Sequence, residues 1–359
     1  MSNLTYIFVH GLSGWGSYDP KYRYYPYWGM RNGDFVAFLR SRGYDCYAAS
    51  VAPAASAWDR ACELYAQLAG KVVDYGLFHS RKYNHPRYGT DYSAKPLIPR
   101  FDETTKLVLI GHSFGGTTIR VFSQLLAQGD KDERNAGENT SPLFLGGMED
   151  RIFSLVTLAS PHNGTTAYNI FEDPSFDPSS VKSTARQRMF SGFLTKSFVH
   201  GKEEMDPRDC ADYDMHIDHA RAMNLRIPTL DHVYYFSWPA SCTSKQSDGA
   251  WTARPEIEPL IELRANLIGS YTGITEGGFV LDESWQENDG LVNTISAWCP
   301  LPAPHDVFRD KESVRPGIWN VMPVYQGDHM VFQGGLMRRH DMRFFYLNLL
   351  SMMEQLAAS

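Results

Sequence analysis

A five-residue run in the first third of the chain places the strongest constraint on its fold. Residues 111–115 read Gly-His-Ser-Phe-Gly, after the apolar, β-type run 106–110 and before the helix-like run 117–126. A serine held in a sharp turn between a strand and a helix leaves no room for side chains at its neighbours, so glycines flank it. Such a turn exposes Ser113 Oγ and leaves free backbone N–H groups at the start of the helix. The run therefore predicts a nucleophilic Ser113 rather than a plain glycine-rich turn.

The composition is that of an ordinary globular protein. Of 359 residues, 43% are hydrophobic and 21% are charged, which argues against disorder and suits one large domain with sizeable insertions. The net charge is −7 and there is no long basic run, so nucleic acid is not an expected partner. No stretch reaches the ~18 apolar residues that span a bilayer. The five cysteines are odd in number and form no C-x-x-C, so we expect packing thiols.

Short apolar runs alternate with helix-like runs along the chain. This alternation is typical of an α/β protein with a mostly parallel sheet and helices on both faces. We expect a single domain over residues 1–359, with insertions at 74–100 and 167–212 that read as loop-like and polar. The predicted strands are 6–9, 44–49, 106–110, 152–158, 233–237 and 319–325, and the predicted helices are 33–42, 59–73, 117–127, 216–224 and 343–357.

A serine nucleophile needs a histidine base and an acid that orients it, and in α/β-hydrolase sheets the chain order is serine, acid, histidine. His329 follows the predicted strand 319–325 by a short turn, which favours it over His305 and His340. Asp289 lies in an Asp-Gly turn between serine and histidine, with an apolar run after it. The sequence therefore predicts the triad Ser113, Asp289 and His329. Competing acids are Asp282, Asp306 and Asp328.

An oxyanion hole requires two backbone N–H groups. One is expected from Phe114, the residue after the nucleophile. The other is expected from the loop after the first strand, where His-Gly-Leu-Ser-Gly-Trp-Gly begins at His10 and makes the Leu12 N–H the candidate.

Two histidines and two aspartates are compatible with a tetrahedral zinc site, but the residues alone do not join them. Asp59 opens a predicted helix, His79 and His85 lie in the first insertion, and Asp214 follows the second insertion. Four protein ligands would make such a site structural. Without further information, unrelated polar residues remain the simpler interpretation.

Taken together, longer motifs resemble a known family, the zinc-containing lipases of Gram-positive bacteria, which comprise the thermoalkaliphilic and staphylococcal lipases. The similarity extends from Tyr6 to the last helix. It rests on the runs Val9–Gly16, Tyr27–Gly29, Trp58–Leu68, Val73–Gly76, Gly111–Gly116, Ser160–Thr166, Glu287–Gly290 and Asp328–His329.

The resemblance implies an α/β-hydrolase core with the triad and oxyanion donors named above, and a structural zinc held by Asp59, His79, His85 and Asp214. Three features depart from the family. Residues 330–336 lack the carboxylates through which some members bind calcium, so a calcium site is doubtful. The oxyanion position, often Phe, is Leu12. The lid region 167–212 is short, which would leave the site open to bulky or polymeric esters.

The expected activity is that of a serine ester hydrolase of the triacylglycerol lipase type, acting on a lipid or other ester, with an oil–water interface as one expected setting. A carboxylesterase or polyester hydrolase with the same triad is the nearest alternative, followed by a non-catalytic binding module and by a hydrolase that uses zinc directly.

The resemblance favours an extracellular protein, whereas a native start at Met1 would favour the cytoplasm. An acyl groove is expected to be lined by Tyr168, Ile170, Phe171, Phe190, Phe193 and Leu194.

Overall fold

The computed structural model describes residues 3–137, 139–191, 206–247 and 249–358. The strands are β1 (Leu4–Val9), β2 (Asp45–Ala49), β3 (Val72–Asp74), β4 (Tyr88–Asp91), β5 (Lys106–His112), β6 (Ile152–Leu158), β7 (Tyr234–Trp238), β8 (Ala240–Ser241), β9 (Thr243–Lys245), β10 (Trp251–Ala253), β11 (Gly273–Ile274), β12 (Val280–Leu281), β13 (His305–Val307), β14 (Trp319–Val321) and β15 (Tyr325–Gln326).

The α-helices with defined bounds are α1 (Phe35–Ser41), α2 (Ala57–Ala69), α3 (Leu77–Tyr83), α4 (Phe114–Gln128), α5 (Lys131–Ala136), α6 (Pro142–Leu145), α7 (Thr166–Glu172), α8 (Ala211–Met215), α9 (Ile217–Asn224), α10 (Glu262–Ile268) and α11 (Arg343–Ala358). Residues 185–191 are also helical. Within the described ranges, no helix is both long and apolar enough to cross a membrane.

The predicted parallel sheet is confirmed. Seven strands lie in the order β13-β14-β7-β6-β5-β1-β2, and all six pairings between neighbours are parallel. The chain leaves β1 toward β2 on one side and later returns to β5 on the other, so the strand order reverses at β1. Ligands of open α/β sheets bind beyond the carboxyl ends of the strands at such a reversal. Here Val9 of β1 pairs with Gly111 of β5, which brings the two following loops together.

Both faces of the sheet are buried, which explains the continuous apolar runs in its strands. In β5, Leu107 and Leu109 pack in the cluster on the side of α2 and α4, whereas Val108 and Ile110 pack in the cluster on the side of α1 and α11. All five cysteines, each within the described ranges, are buried and form no disulfide, as the packing-thiol interpretation predicts.

Three local predictions were wrong. The predicted helix 59–73 ends at Ala69, because Gly70 adopts a left-handed conformation and Val72–Asp74 then forms β3. The loop predicted over 74–100 contains helix α3 and strand β4, which pairs with β3 across the insertion. The predicted strand 319–325 divides into β14, which joins the main sheet, and β15, which pairs with β8. The edge strand β13 was not predicted.

Candidate active site and metal cluster

Ser113 occupies a strained turn between β5 and α4. Its φ of 55° and ψ of −130° lie in a region that residues with side chains rarely adopt. The flanking glycines are required by space: a Cβ at Gly111 would lie 2.5 Å from the backbone of Gly115, and a Cβ at Gly115 would lie 2.2 Å from the carbonyl oxygen of Val9. The sequence Gly-x-Ser-x-Gly is therefore the one that lets this turn pack against β1.

The structure brings the three predicted triad side chains together. His329 Nε2 lies 2.8 Å from Ser113 Oγ, and His329 Nδ1 lies 2.8 Å from Asp289 Oδ2. Because a carboxylate only accepts, Nδ1 carries the proton and Nε2 is free to accept from the serine hydroxyl. Asp289 Oδ1 in turn accepts from the N–H groups of Leu291 and Val292 at 3.0 and 2.8 Å. These bonds hold the Asp289 carboxylate in place, and the carboxylate in turn orients the His329 ring.

The competing residues do not take part in the hydrogen bonds that join Ser113, His329 and Asp289. His305 is exposed in β13, and Asp282 caps a short helical turn through Ser284. Asp328 is buried, and its carboxylate accepts from the backbone N–H groups of Glu258 and Met330. The remaining two are Asp306, which pairs with Arg309, and His340, whose backbone N–H donates to the carbonyl of Gly334.

The loop between β1 and α1 lies against Ser113. A Cβ at Gly11 would be 2.8 Å from Ser113 Cβ, so only glycine permits this approach. Within the described part of the chain, neither the Leu12 N–H nor the Phe114 N–H has a hydrogen-bond acceptor. Two free donors beside Ser113 match the requirement of an oxyanion hole.

Tyr27 and His112 were missed by sequence reasoning. The Tyr27 hydroxyl lies 2.6 Å from His112 Nδ1 and accepts from the Gly11 N–H at 3.1 Å. Burial lowers the pKa of His112 well below its usual value, so this imidazole stays neutral. Its position inside the Gly-x-Ser-x-Gly run is the one signal that could have drawn attention to it.

A second cluster lies under the first insertion. Ligand atoms of Asp59, His79, His85 and Asp209 all lie within 4.8 Å of one another. His79 Nε2 is 3.2 Å from Asp59 Oδ1 and 3.3 Å from Asp209 Oδ1, and His85 Nε2 is 3.4 Å from Asp209 Oδ2. Within the described part, three of these atoms are buried without a hydrogen bond: Asp59 Oδ1, His79 Nε2 and His85 Nε2. Two imidazoles and two carboxylates with unsatisfied atoms fit a tetrahedral metal ion.

The set brought together differs from the predicted one in its fourth member, which is Asp209 rather than Asp214. Asp214 Oδ2 instead accepts from the Ala57 N–H at 2.7 Å and so holds the start of α2, the helix that carries Asp59. Asp209 lies near the end of the second insertion and Asp214 lies just after it, and nothing in the sequence spacing marks which of the two faces the histidines. Glu133 anchors the other side, accepting from the Phe78 and His79 N–H groups at the start of α3.

Negative charge accumulates in this cluster. Burial alone would lower the pKa of His79, but the carboxylates of Asp209 and Asp59 outweigh it and raise the pKa to about 9. A site that draws a proton onto a buried imidazole is a site that a cation would stabilise.

Protein groups hold the loop after His329. The fully buried carboxylate of Glu258 accepts from the N–H groups of Leu336, Met337 and Arg338 at 2.6, 3.1 and 2.8 Å. The Glu258 carboxylate is therefore already hydrogen-bonded by three backbone amides of this loop.

The residues predicted to line an acyl groove have different surroundings. Ile170 is buried in a small cluster with Ile217 and Trp285, whereas Phe171 is 58% exposed. The Tyr168 hydroxyl donates to Asp212 Oδ1 at 2.8 Å. Phe190 lies beside Arg186, and Phe193 and Leu194 lie outside the described residues.

The fold and this site define a parallel α/β protein with a hydrogen-bonded serine–histidine–aspartate group, and comparisons with known proteins show its family. Residues 2–177 match the family model described as "Lipase-like, C-terminal domain". Lipase 2 of Staphylococcus aureus is 31% identical over 91% of this chain and 50% of its own length.

Two solved structures cover nearly the whole chain. EstA from Clostridium botulinum has a TM-score of 0.83 and 31% identity, covering 98% of this chain and 87% of its own. The lipase of Staphylococcus hyicus has a TM-score of 0.81 and 29% identity, covering 100% of this chain and 98% of its own. The chain belongs to the bacterial lipase family that includes the staphylococcal lipases. It spans about half the length of the curated relatives it matches.

Proposed function

We propose that this chain is a serine ester hydrolase of the triacylglycerol lipase type, with Ser113, His329 and Asp289 as its triad. The observation that carries the proposal is the pair of 2.8 Å contacts that links Ser113 Oγ through the His329 ring to Asp289. The relatives named lipase, and the structural similarity to a lipase and to EstA, support it.

In this mechanism, Ser113 Oγ attacks the ester carbonyl while His329 Nε2 takes its proton, and Asp289 stabilises the imidazolium. The Leu12 and Phe114 N–H groups stabilise the oxyanion of the tetrahedral intermediate. Removal of one such donor elsewhere costs about 2.7–4 kcal/mol. His329 then protonates the departing alcohol, which leaves an acyl-Ser113, and a water activated by His329 releases the acid.

The buried cluster of Asp59, His79, His85 and Asp209 is proposed to hold a structural zinc ion. It would join α2, the first insertion and the segment before α8. Because four protein ligands leave no open position, the ion would have a structural role and would not contact the ester. We also propose that the chain is a single α/β-hydrolase domain in which 74–100 forms a zinc-linked insertion and 167–212 forms a short lid.

The test measures hydrolysis of p-nitrophenyl esters from acetate to palmitate and of emulsified tributyrin. Wild type, Ser113→Ala and the control Ser123→Ala are compared, the control being a buried serine on α4. Activity on long chains and emulsion that is lost only in Ser113→Ala supports a lipase. Activity confined to short soluble esters would favour a carboxylesterase and make polyester film the next substrate. Activity that survives in Ser113→Ala contradicts the proposal.

A further inference from the structure

Arg60 is a fully buried arginine whose hydrogen bonds converge on the loop after β1. Its Nη2 donates to the carbonyl oxygen of His10, and its Nη1 lies 3.4 Å from the carbonyl oxygen of Gly11 and 3.3 Å from that of Ala52. Its side chain is 0% exposed. Two of these three carbonyls belong to the peptides directly before Leu12, the proposed oxyanion donor.

The Gly11–Leu12 peptide is the important one. In a trans peptide the C=O and the N–H point in opposite directions. A Gly11 carbonyl held by Arg60 therefore directs the Leu12 N–H away from Arg60. His10 Nδ1 also lies 2.8 Å from this oxygen, and because the Val51 N–H donates to His10 Nε2, Nδ1 is the protonated atom and donates. The Gly14 N–H donates to the same oxygen at 3.2 Å, so Arg60 is one of three donors that restrain this carbonyl.

Arg60 also contacts Phe114, the residue that carries the other proposed oxyanion donor, both directly and through Thr118. Arg60 Nε donates to Thr118 Oγ1 at 2.9 Å, and Thr118 Oγ1 donates to the Phe114 carbonyl at 3.1 Å. The guanidinium carbon also lies 5.0 Å from the centre of the Phe114 ring. One side chain therefore contacts both segments that flank Ser113.

Arg60 is a cation without a carboxylate partner within 4.0 Å in the described part of the chain. A buried charge is costly unless it is compensated, and here carbonyl and hydroxyl dipoles take the place of an ion pair. Hydrogen bonds that polarise a peptide at its C=O strengthen the N–H at its other end as a donor. The arrangement places a positive charge behind the peptide that would face the oxyanion.

We propose that Arg60 is a positioning residue for the oxyanion hole: it holds the Gly11–Leu12 peptide so that the Leu12 N–H faces the oxygen that develops negative charge. The proposal rests on the ester-hydrolase function and mechanism proposed above. It predicts that replacing Arg60 weakens stabilisation of the transition state but leaves substrate binding unchanged.

The experiment compares Arg60→Met and Arg60→Lys with Arg120→Met. Arg120 is a matched control, because it is a buried arginine on α4 whose Nη2 donates to Asn224 Oδ1. Each variant is assayed for kcat and KM with p-nitrophenyl butyrate and for inhibition by butylboronic acid. A boronic acid forms a tetrahedral anion on a catalytic serine and so reports on the oxyanion hole.

We expect Arg60→Met to lose kcat and boronic acid affinity by the same factor, roughly 10- to 100-fold, below the ~10²–10³ of a deleted donor. KM should change little. Arg60→Lys should be intermediate, and Arg120→Met should retain kcat within about twofold even if its melting temperature falls. Thr118→Val, which keeps shape but removes the acceptor of Arg60 Nε, is the milder variant if the Arg60 variants do not fold. It should lose kcat and boronic acid affinity in the same direction.

The inference is overturned if the variants at Arg60 and Thr118 keep kcat within twofold of the Arg120 control, or if kcat falls while boronic acid affinity does not. A Ser113→Ala variant that retains the activity of the wild type is a different result. It would contradict the proposed function itself and would overturn this inference with it.

Discussion

His112 Nε2 lies 2.8 Å from the backbone carbonyl oxygen of His329, so the residue before the proposed nucleophile, Ser113, holds the proposed base. Since a carbonyl only accepts, Nε2 carries the proton and Nδ1 must accept from the Tyr27 hydroxyl. Tyr27 in turn accepts from Gly11. A continuous chain of hydrogen bonds therefore joins the loop after β1, the turn at Ser113 and the backbone of His329.

Tyr27→Phe should reduce activity more than a comparable change elsewhere. It leaves His112 Nδ1 and the Gly11 N–H buried and unpaired, at a cost of about 1–3 kcal/mol in the free energy of unfolding. We expect kcat to fall roughly tenfold, since about 1.4 kcal/mol of lost transition-state stabilisation has that effect. The control is Tyr22→Phe, which breaks a bond to Asp34 at 3.2 Å. Equal kcat losses in the two variants would show that the Tyr27 hydroxyl has no role in the site.

The fourth ligand of the proposed zinc site can be identified with two conservative variants. Asp209→Asn should lose bound zinc, because it removes a charged ligand from the cluster. Asp214→Asn should retain zinc but lower the melting temperature, because the Ala57 N–H loses its carboxylate partner. Zinc per chain is measured by mass spectrometry after dialysis. Zinc retained in Asp209→Asn and lost in Asp214→Asn would restore the set predicted from the sequence.

The close packing of α4 against the segment that follows β6 predicts that a second substitution can rescue a destabilising one. A Cβ at Gly116 would lie 2.1 Å from Ser160 Oγ and 2.6 Å from Ser160 Cβ. Gly116→Ala should therefore destabilise the fold by about 1–3 kcal/mol through overpacking. Adding Ser160→Gly removes both clashing atoms and should recover at least half of this loss. Urea denaturation of the two single variants and the double variant gives the coupling energy, and purely additive losses would refute the packing argument.

Glu63 should make stability depend on pH. Burial raises the pKa of its carboxyl from 4.5 to about 7. The folded chain then holds this proton more tightly than the unfolded chain, so its stabilisation is fully present below pH 4.5 and is lost as the pH rises through about 7. The side chain accepts from the Ala52 N–H and the Tyr75 hydroxyl, a pattern that glutamine can satisfy if the hydroxyl turns to accept.

Wild type should therefore lose stability relative to Glu63→Gln over this range, by at most ~1.4 kcal/mol per pH unit. Unfolding at pH 5, 6, 7 and 8 measures the difference, with the exposed Glu103→Gln as control. A constant difference between wild type and Glu63→Gln across the four pH values would exclude this carboxyl as the titrating group.

Local patterns were sufficient to locate six of the seven strands of the sheet and to predict the order of the proposed triad. Strands buried on both faces need continuous apolar runs, and a serine in a strained turn needs small neighbours, so β5 and Ser113 could be located from adjacent residues. His329 and Asp289 followed from the order in which loops leave a parallel sheet. In the structure these three side chains lie within hydrogen-bonding distance.

Tertiary structure alone decided which distant side chains meet. Asp209 and Asp214 lie five positions apart, and only the path of the chain before α8 turns the first toward His79 and the second toward Ala57. The contacts of Arg60 with the Gly11 carbonyl and of His112 with the His329 carbonyl likewise join segments far apart in sequence. Sequence periodicity reports which face of an element is buried, but the partner of a buried polar atom depends on how those elements pack in three dimensions.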